Sequence, residues 1–145
     1  MIKQALLVST LLISTLLASD KPMQSRELPT KELKSQNKLI TKLAADEISK
    51  SLPQTIDKYT TLVKVKALNT TLVYMYEINT GAKSDETVIK EDHTRMQKAV
   101  TKGTCRSSKR FLEADISISY IYNSAKSKKK LFQFNINQTS CLNYN

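Results

Sequence analysis

The sequence predicts an α+β domain in the order helix, hairpin, helix, hairpin. Its four strands would form an antiparallel sheet with both helices on one face. Three observations predict it. Two segments repeat apolar residues at the helical period, and four alternate them at the strand period. Cys105 and Cys141 lie at the ends of predicted elements, where a single disulfide would tie the second helix to the last strand.

The first helix is expected over residues 37–51. Leu39, Ile40, Leu43, Ala44 and Ile48 recur at helical spacing and form the expected buried stripe. Leu52-Pro53 ends it, because a residue before proline avoids the helical region. Strands follow over residues 60–67 and 72–78, joined by Leu68-Asn69-Thr70-Thr71. In the second of these, Leu72, Tyr74, Tyr76 and Ile78 point one way and Val73, Met75 and Glu77 the other. The second helix is expected over residues 86–102, capped by Ser84 or Asp85 and stopped by Gly103 in a left-handed conformation. Ile89, Met96, Ala99 and Val100 would be its buried stripe. A short turn or helix near residues 107–112 leads into the second hairpin. There Ile116, Ile118, Tyr120 and Tyr122 share a face, as do Phe132, Phe134 and Ile136.

The N-terminus has the layout of a secretory signal peptide. Lys3 supplies a positive start, residues 5–18 are apolar apart from Ser9, Thr10, Ser14 and Thr15, and Ser19-Asp20-Lys21-Pro22 follows. The apolar run falls short of the ~20 residues that span a bilayer. Leu16-x-Ala18 is the expected cleavage signal. The alternative is an uncleaved inner-membrane anchor. No Cys follows the cleavage position, so lipoprotein-type lipidation is not expected. The expected organisation is a signal peptide over 1–18, a flexible linker over 19–36 and one α+β domain over 37–145, in the periplasm or secreted.

Export permits a Cys105–Cys141 disulfide. It would close a loop of about 37 residues and stabilise the fold by roughly 4 kcal/mol in the loop-entropy account. The pair is not a Cys-x-x-Cys redox motif. The chain carries a net charge of +10, and losing Lys3 with the signal leaves +9. Most lysines are scattered. Only Lys126, Lys128, Lys129 and Lys130 cluster, at the expected tip of the second hairpin, where they could meet an anionic lipid or lipopolysaccharide.

No residue constellation points to catalysis, a metal or a cofactor. His93 is the sole imidazole. Glu91 and Asp92 are close to it in sequence, but on a helix they point away from it, Asp92 by about 100 degrees and Glu91 by about 200. The adjacent carboxylates Asp46-Glu47, Asp85-Glu86 and Glu91-Asp92 cannot form a shared-proton dyad for the same reason. Two Gly and no Trp exclude a Gly-rich nucleotide loop. Asp57 has a structural part, accepting backbone amides in the turn after Leu52-Pro53. Tyr74, Tyr76, Tyr120 and Tyr122 form an aromatic surface that is either core or an exposed binding platform. Ser117 and Ser119 lie on the opposite face and are poor core residues, which favours the tyrosines as core.

Leu52-Pro53 with Asp57, then Thr61-Leu62 and Val65, Tyr74-x-Tyr76, Cys105, Tyr120-x-Tyr122 and Cys141 form one ordered pattern over about residues 38–141. It resembles small exported single-disulfide proteins of Gram-negative bacteria. The resemblance implies fold and compartment and carries no mechanism with it. The basic turn at residues 126–130 departs from the Asp-Gly or Gly-containing turn of that pattern. A bacterial origin makes the glycosylation-like Asn69-Thr70-Thr71 and Asn137-Gln138-Thr139 accidental. The sequence therefore predicts a non-enzymatic binding or accessory protein whose partner is another envelope protein. Anionic lipid is the alternative, and no nucleic acid is expected.

Overall fold

A computed structural model describes residues 30–144. The expected signal peptide and residues 19–29 of the expected linker lie outside the described residues. In chain order the elements are α1 (Thr30–Ser49), β1 (Gln54–Thr55), β2 (Thr60–Leu68), β3 (Thr71–Ile78), α2 (Asp85–Ser107), α3 (Lys109–Glu113), β4 (Ser117–Ser124), β5 (Lys130–Ile136) and the 3₁₀ turn η1 (Thr139–Cys141).

The sheet has five strands in the order β1-β2-β3-β4-β5, not four, and it is mixed rather than antiparallel. β1 is the added strand, pairing Gln54 with Leu62 and Thr55 with Thr61. The parallel pair is β3–β4, with Tyr74 opposite Tyr120 and Tyr76 opposite Tyr122. Its cause is the element between them. A tight turn reverses direction, whereas a helix carries the chain back along the sheet and returns it to the same end. α2 is that crossover, and the β2–β3 and β4–β5 hairpins stay antiparallel as expected.

α1 departs twice from expectation. It begins at Thr30, so residues 30–36, expected as linker, are helical. No Gly or Pro interrupts them, and Glu32 suits the positive end of the helix. Its buried residues are Asn37, Thr41 and Ala45, flanked by half-buried Ala44 and Ile48, while Leu39, Ile40 and Leu43 are 58 %, 44 % and 57 % exposed. The small residues let the helix lie close on the β2–β3 hairpin. The polar ones are internally satisfied: Asn37 Nδ2 donates to the Ala114 carbonyl at 2.6 Å and Thr41 Oγ1 to the Asn37 carbonyl at 2.7 Å.

α2 is capped as expected, with Ser84 Oγ accepting from the Thr87 N–H at 3.2 Å. It runs through Gly103, however, and ends at Ser107. Tertiary packing overrides the glycine stop, because Thr104 and Cys105, the next two residues, are both buried. Cys105 thus belongs to the helix. It is bonded to Cys141 with a Cα–Cα distance of 5.5 Å, and the bond fixes the last turn of α2 to η1.

The core lies on the helix-bearing face of the sheet in two clusters. Leu62, Val65 and Leu72 pack with Ala45 of α1. Ile118, Tyr122, Phe132, Phe134 and Ile136 pack with Val88 and Cys105 of α2. Tyr74 and Tyr76 touch both clusters and join them. On the other face Ser119 Oγ donates to Asn135 Oδ1 at 2.7 Å.

Candidate functional site

The four tyrosines form one aromatic row across the middle of the sheet. Parallel pairing places Tyr74 beside Tyr120 and Tyr76 beside Tyr122, with ring centroids 5.4 and 4.9 Å apart and planes 14° and 15° from parallel. Tyr76 and Tyr120 stack diagonally at 6.3 Å. All four point to the helix side, yet only Tyr122 is buried, and the other three are half-buried. The helix layer explains the difference. α1 packs over β2 and β3, α2 packs over β5, and the centre of the sheet between them is left partly open.

The uncovered centre of the sheet forms a groove between α1 and α2. Lys38, Lys42 and Asp46 lie on the flank beside Val65, Lys66 and Ala67 of β2. Leu33, Leu39, Ile40 and Leu43 are exposed elsewhere around α1, with Leu33 beside Asn37, Thr70 and Asp115. On α2, Met96 and Val100 pack against the tyrosine-containing cluster. Thr104 Oγ1 lies 2.8 Å from the Val100 carbonyl and 2.9 Å from Tyr120 Oη. The Thr104 hydroxyl is the donor to both, so its one proton is shared between the Val100 carbonyl and Tyr120 Oη.

Burial raises the pKa of every tyrosine in the row. Desolvation is the leading cause, reinforced by neighbouring phenols at Tyr74, Tyr76 and Tyr122 and opposed at Tyr120 by its bond with Thr104. Tyr122 is pushed up to about 12. The row is therefore neutral at any physiological pH. It offers ring faces and hydroxyl donors, not phenolate nucleophiles.

Beyond Ile78, the next residue of that face after Tyr76, the groove end opens into a cleft of about 580 Å³. Ile78, Val88 and Met96 give it apolar walls, and the turn between β1 and β2 forms its rim. Asp57 builds that turn. Its Oδ1 accepts the Tyr59 N–H at 2.7 Å and the Thr60 N–H at 2.9 Å. These bonds, the Tyr59 amide foremost, hold the carboxyl below its ordinary pKa. The Leu52-Pro53 bond is cis, and Leu52 packs on the α1 cluster. The Leu-Pro-x-x-x-Asp pattern is thus the chemistry of one rigid turn.

The lysine tip is exposed, but it is not a free cluster. Lys128 Nζ reaches both Glu77 carboxylate oxygens at 2.9 Å, Lys130 Nζ donates to Gln133 at 3.0 Å, and Ser127 Oγ donates to Asp85 at 2.5 Å. Those bonds draw the tip down onto β3 and the start of α2. His93 is exposed and sets its ring edge-on to Phe134 at 5.4 Å. Its neighbour Asp92 is engaged by Arg95 at 2.7 Å. No group of His, Cys, Asp or Glu among the described residues could hold a metal ion. The tyrosines and the cysteine pair were legible in the sequence. The exposed apolar residues of α1 and the cleft were missed, and Asp57 was the one signal near the cleft.

Three solved structures share this fold. A candidate secreted protein of Pseudomonas aeruginosa matches with a TM-score of 0.66 at 13% identity, over 75% of this chain and 96% of its own. The type 2 secretion system pilotin EpsS of Vibrio vulnificus matches at 0.61 and 15% identity, over 77% and 96%. The type II secretion system pilotin AspS of Vibrio cholerae matches at 0.59 and 21% identity, over 77% and 97%. No curated protein sequence matches the chain. The model of a family described as a domain of unknown function, DUF8479, matches residues 35–132, and the chain belongs to that family.

Proposed function

We propose that this chain is a non-enzymatic accessory protein of the bacterial envelope that holds a segment of another envelope protein in the groove between α1 and α2. One observation carries the reading. A helix that packs on the sheet through Asn37, Thr41 and Ala45 leaves Leu33, Leu39, Ile40 and Leu43 exposed, and the sheet carries a half-buried aromatic row. Exposed apolar side chains gathered on one helix mark a candidate interaction surface. Tyrosine rings add large contact area at small entropic cost. The fold shared with two type II secretion pilotins directs the reading toward a secretion-machine accessory. No helix among the described residues is long and apolar enough to cross a membrane.

The test is site-specific photo-cross-linking in cells. Benzoylphenylalanine at position 43 should capture one discrete envelope protein, and the same probe at position 66, on the opposite sheet face, should capture none. Equal capture from both positions, or none from position 43, would overturn the reading.

A further inference from the structure

The two edges of the sheet are unlike. β1 has two residues and offers almost no edge, whereas β5 has seven. A lysine and a bulge guard the start of β5: Asn123 pairs with Lys130 and Tyr122 with Phe132, which leaves Leu131 as the extra residue. From Phe132 to Ile136 the edge carries no charge and no proline. An edge strand without such guards is a template for another strand.

The hydrogen bonds fix which groups that edge leaves open. The Ser117 N–H donates to the Thr70 carbonyl at 3.0 Å and the Ala125 N–H to the Ile78 carbonyl at 2.8 Å, so the odd-numbered residues of β4 bond toward β3. The Ser124 N–H donates to the Lys129 carbonyl at 2.8 Å, so the even-numbered ones bond toward β5. Their partners there are Phe132, Phe134 and Ile136. Gln133 and Asn135 therefore turn their N–H and C=O groups outward. No backbone group among the described residues meets them. Asn137, the next outward residue, is already satisfied, its N–H donating to Ser140 Oγ at 3.2 Å. The open window is thus Gln133 and Asn135, with the bulge at one end and this bond at the other.

We propose that the chain forms a two-fold symmetric dimer in which β5 pairs antiparallel with β5 of a second copy, centred on Phe134. The window is symmetric about that residue, so it fits itself, as an isologous interface must. Gln133 would face Asn135 of the second copy and Asn135 its Gln133, each pair exchanging two N–H···O bonds. Every open backbone group of the window would then be paired. A register with Gln133 opposite Gln133 would instead set Asn135 against the bulged Leu131. On the uncovered sheet face the exposed Gln133 and Asn135 side chains would meet as two amides, each with donors and an acceptor. The two Lys130 residues would lie about 27 Å apart along the strands, well beyond the Debye length of ~8 Å. The inference goes beyond the partner-binding reading and does not rest on it.

The experiment is sedimentation velocity and amide hydrogen exchange of the exported protein between about 1 µM and about 1 mM. The sedimenting mass should double across that range. The Gln133 and Asn135 amides should exchange fast in dilute solution and become protected as the mass doubles, while Phe134 stays protected throughout by β4. Gln133→Lys with Asn135→Lys sets like charges opposite each other across the axis and should hold the protein as a monomer. Gln133→Glu with Asn135→Lys sets opposite charges there and should restore the dimer. Circular dichroism checks that both variants fold, and the parent's exchange pattern decides if either does not. A mass that never doubles, doubling without protection of Gln133 and Asn135, or equal association of the two variants would overturn the proposal. Full protection already in dilute solution would also overturn it, because the edge would then be covered within one chain.

Discussion

Tyr76 and Tyr122 stack face to face across the parallel β3–β4 pair, 4.9 Å between ring centroids and 15° from parallel. The contact exists because α2 returns the chain to the same end of the sheet, which sets Tyr-x-Tyr beside Tyr-x-Tyr in register. A hairpin between these strands would have run them in opposite directions. The stack joins the two halves of the core, because Tyr76 touches both buried clusters. The row is thus structural on one side and available for contact on the other.

Its first consequence is a pH dependence. Tyr122 ionises near 10 in the unfolded chain and is raised to about 12 in the fold, chiefly by desolvation. An acid whose folded pKa is raised favours the folded state below its unfolded pKa, because the unfolded chain loses the proton first. Its contribution is therefore full below about pH 10. It is lost as pH rises from there through about 12. Tyr74, Tyr76 and Tyr120 shift in the same direction and steepen the loss. Urea denaturation should give a flat midpoint from pH 7 to 9 and a fall above pH 10. Tyr122→Phe should show a shallower fall. Equal slopes would mean that Tyr122 is not desolvated in the fold.

Strand patterning was legible because alternation is local. Leu72, Tyr74, Tyr76 and Ile78 share a face in the sequence and in the fold, as do Phe132, Phe134 and Ile136. The α1 face was not legible. Its large residues are exposed, and its buried face depends on Asn37, whose partner Ala114 is 77 residues away. No local pattern encodes that bond. The Gly103 stop failed for a similar reason, since burial of Thr104 and the Cys105–Cys141 bond hold the next turn. At the site, the tyrosines could be listed from sequence, but their half-burial depends on where two helices leave the sheet uncovered. The three solved structures share the fold at 13–21% identity.

The disulfide is the second point of test. It ties α2 to η1 across a sequence separation of 36. Cys141→Ala should lower unfolding free energy by about 2–5 kcal/mol. Loss should begin at the C-terminal turn of α2, where Cys105 and Thr104 are buried together. Hydrogen exchange of the residue 100–107 amides should quicken more than that of β3. Uniform quickening would show that the bond guards the whole fold rather than that junction.

Gly103 gives a prediction of opposite sign. It lies inside α2 with ordinary helical backbone, and a Cβ built there meets nothing within 4 Å. Nothing in the fold requires a glycine. Gly103→Ala should stabilise the protein by about 0.5–1 kcal/mol through the reduced freedom of the unfolded chain. A lower denaturation midpoint would show strain at this turn.

The lysine tip separates the two partner classes left by the sequence. Replacing Lys126, Lys128, Lys129 and Lys130 with Gln removes one internal ion pair, Lys128–Glu77, in which the lysine is 65% exposed. Exposed pairs contribute about 0–1 kcal/mol, so the fold should survive with at most a small drop in stability. Binding to anionic vesicles is another matter. Each lysine near such a bilayer contributes about 1 kcal/mol, so a lipid-seeking tip would bind at low salt and release when four charges are lost. With Lys128 and Lys130 already bonded within the chain, the tip presents less free charge than its composition suggests. Sedimentation with phosphatidylglycerol vesicles should therefore show little binding by the parent protein, and the position-43 cross-link should persist in the Gln variant. Strong vesicle binding that disappears with the four lysines, together with loss of that cross-link, would move the protein from a partner's surface to the membrane's.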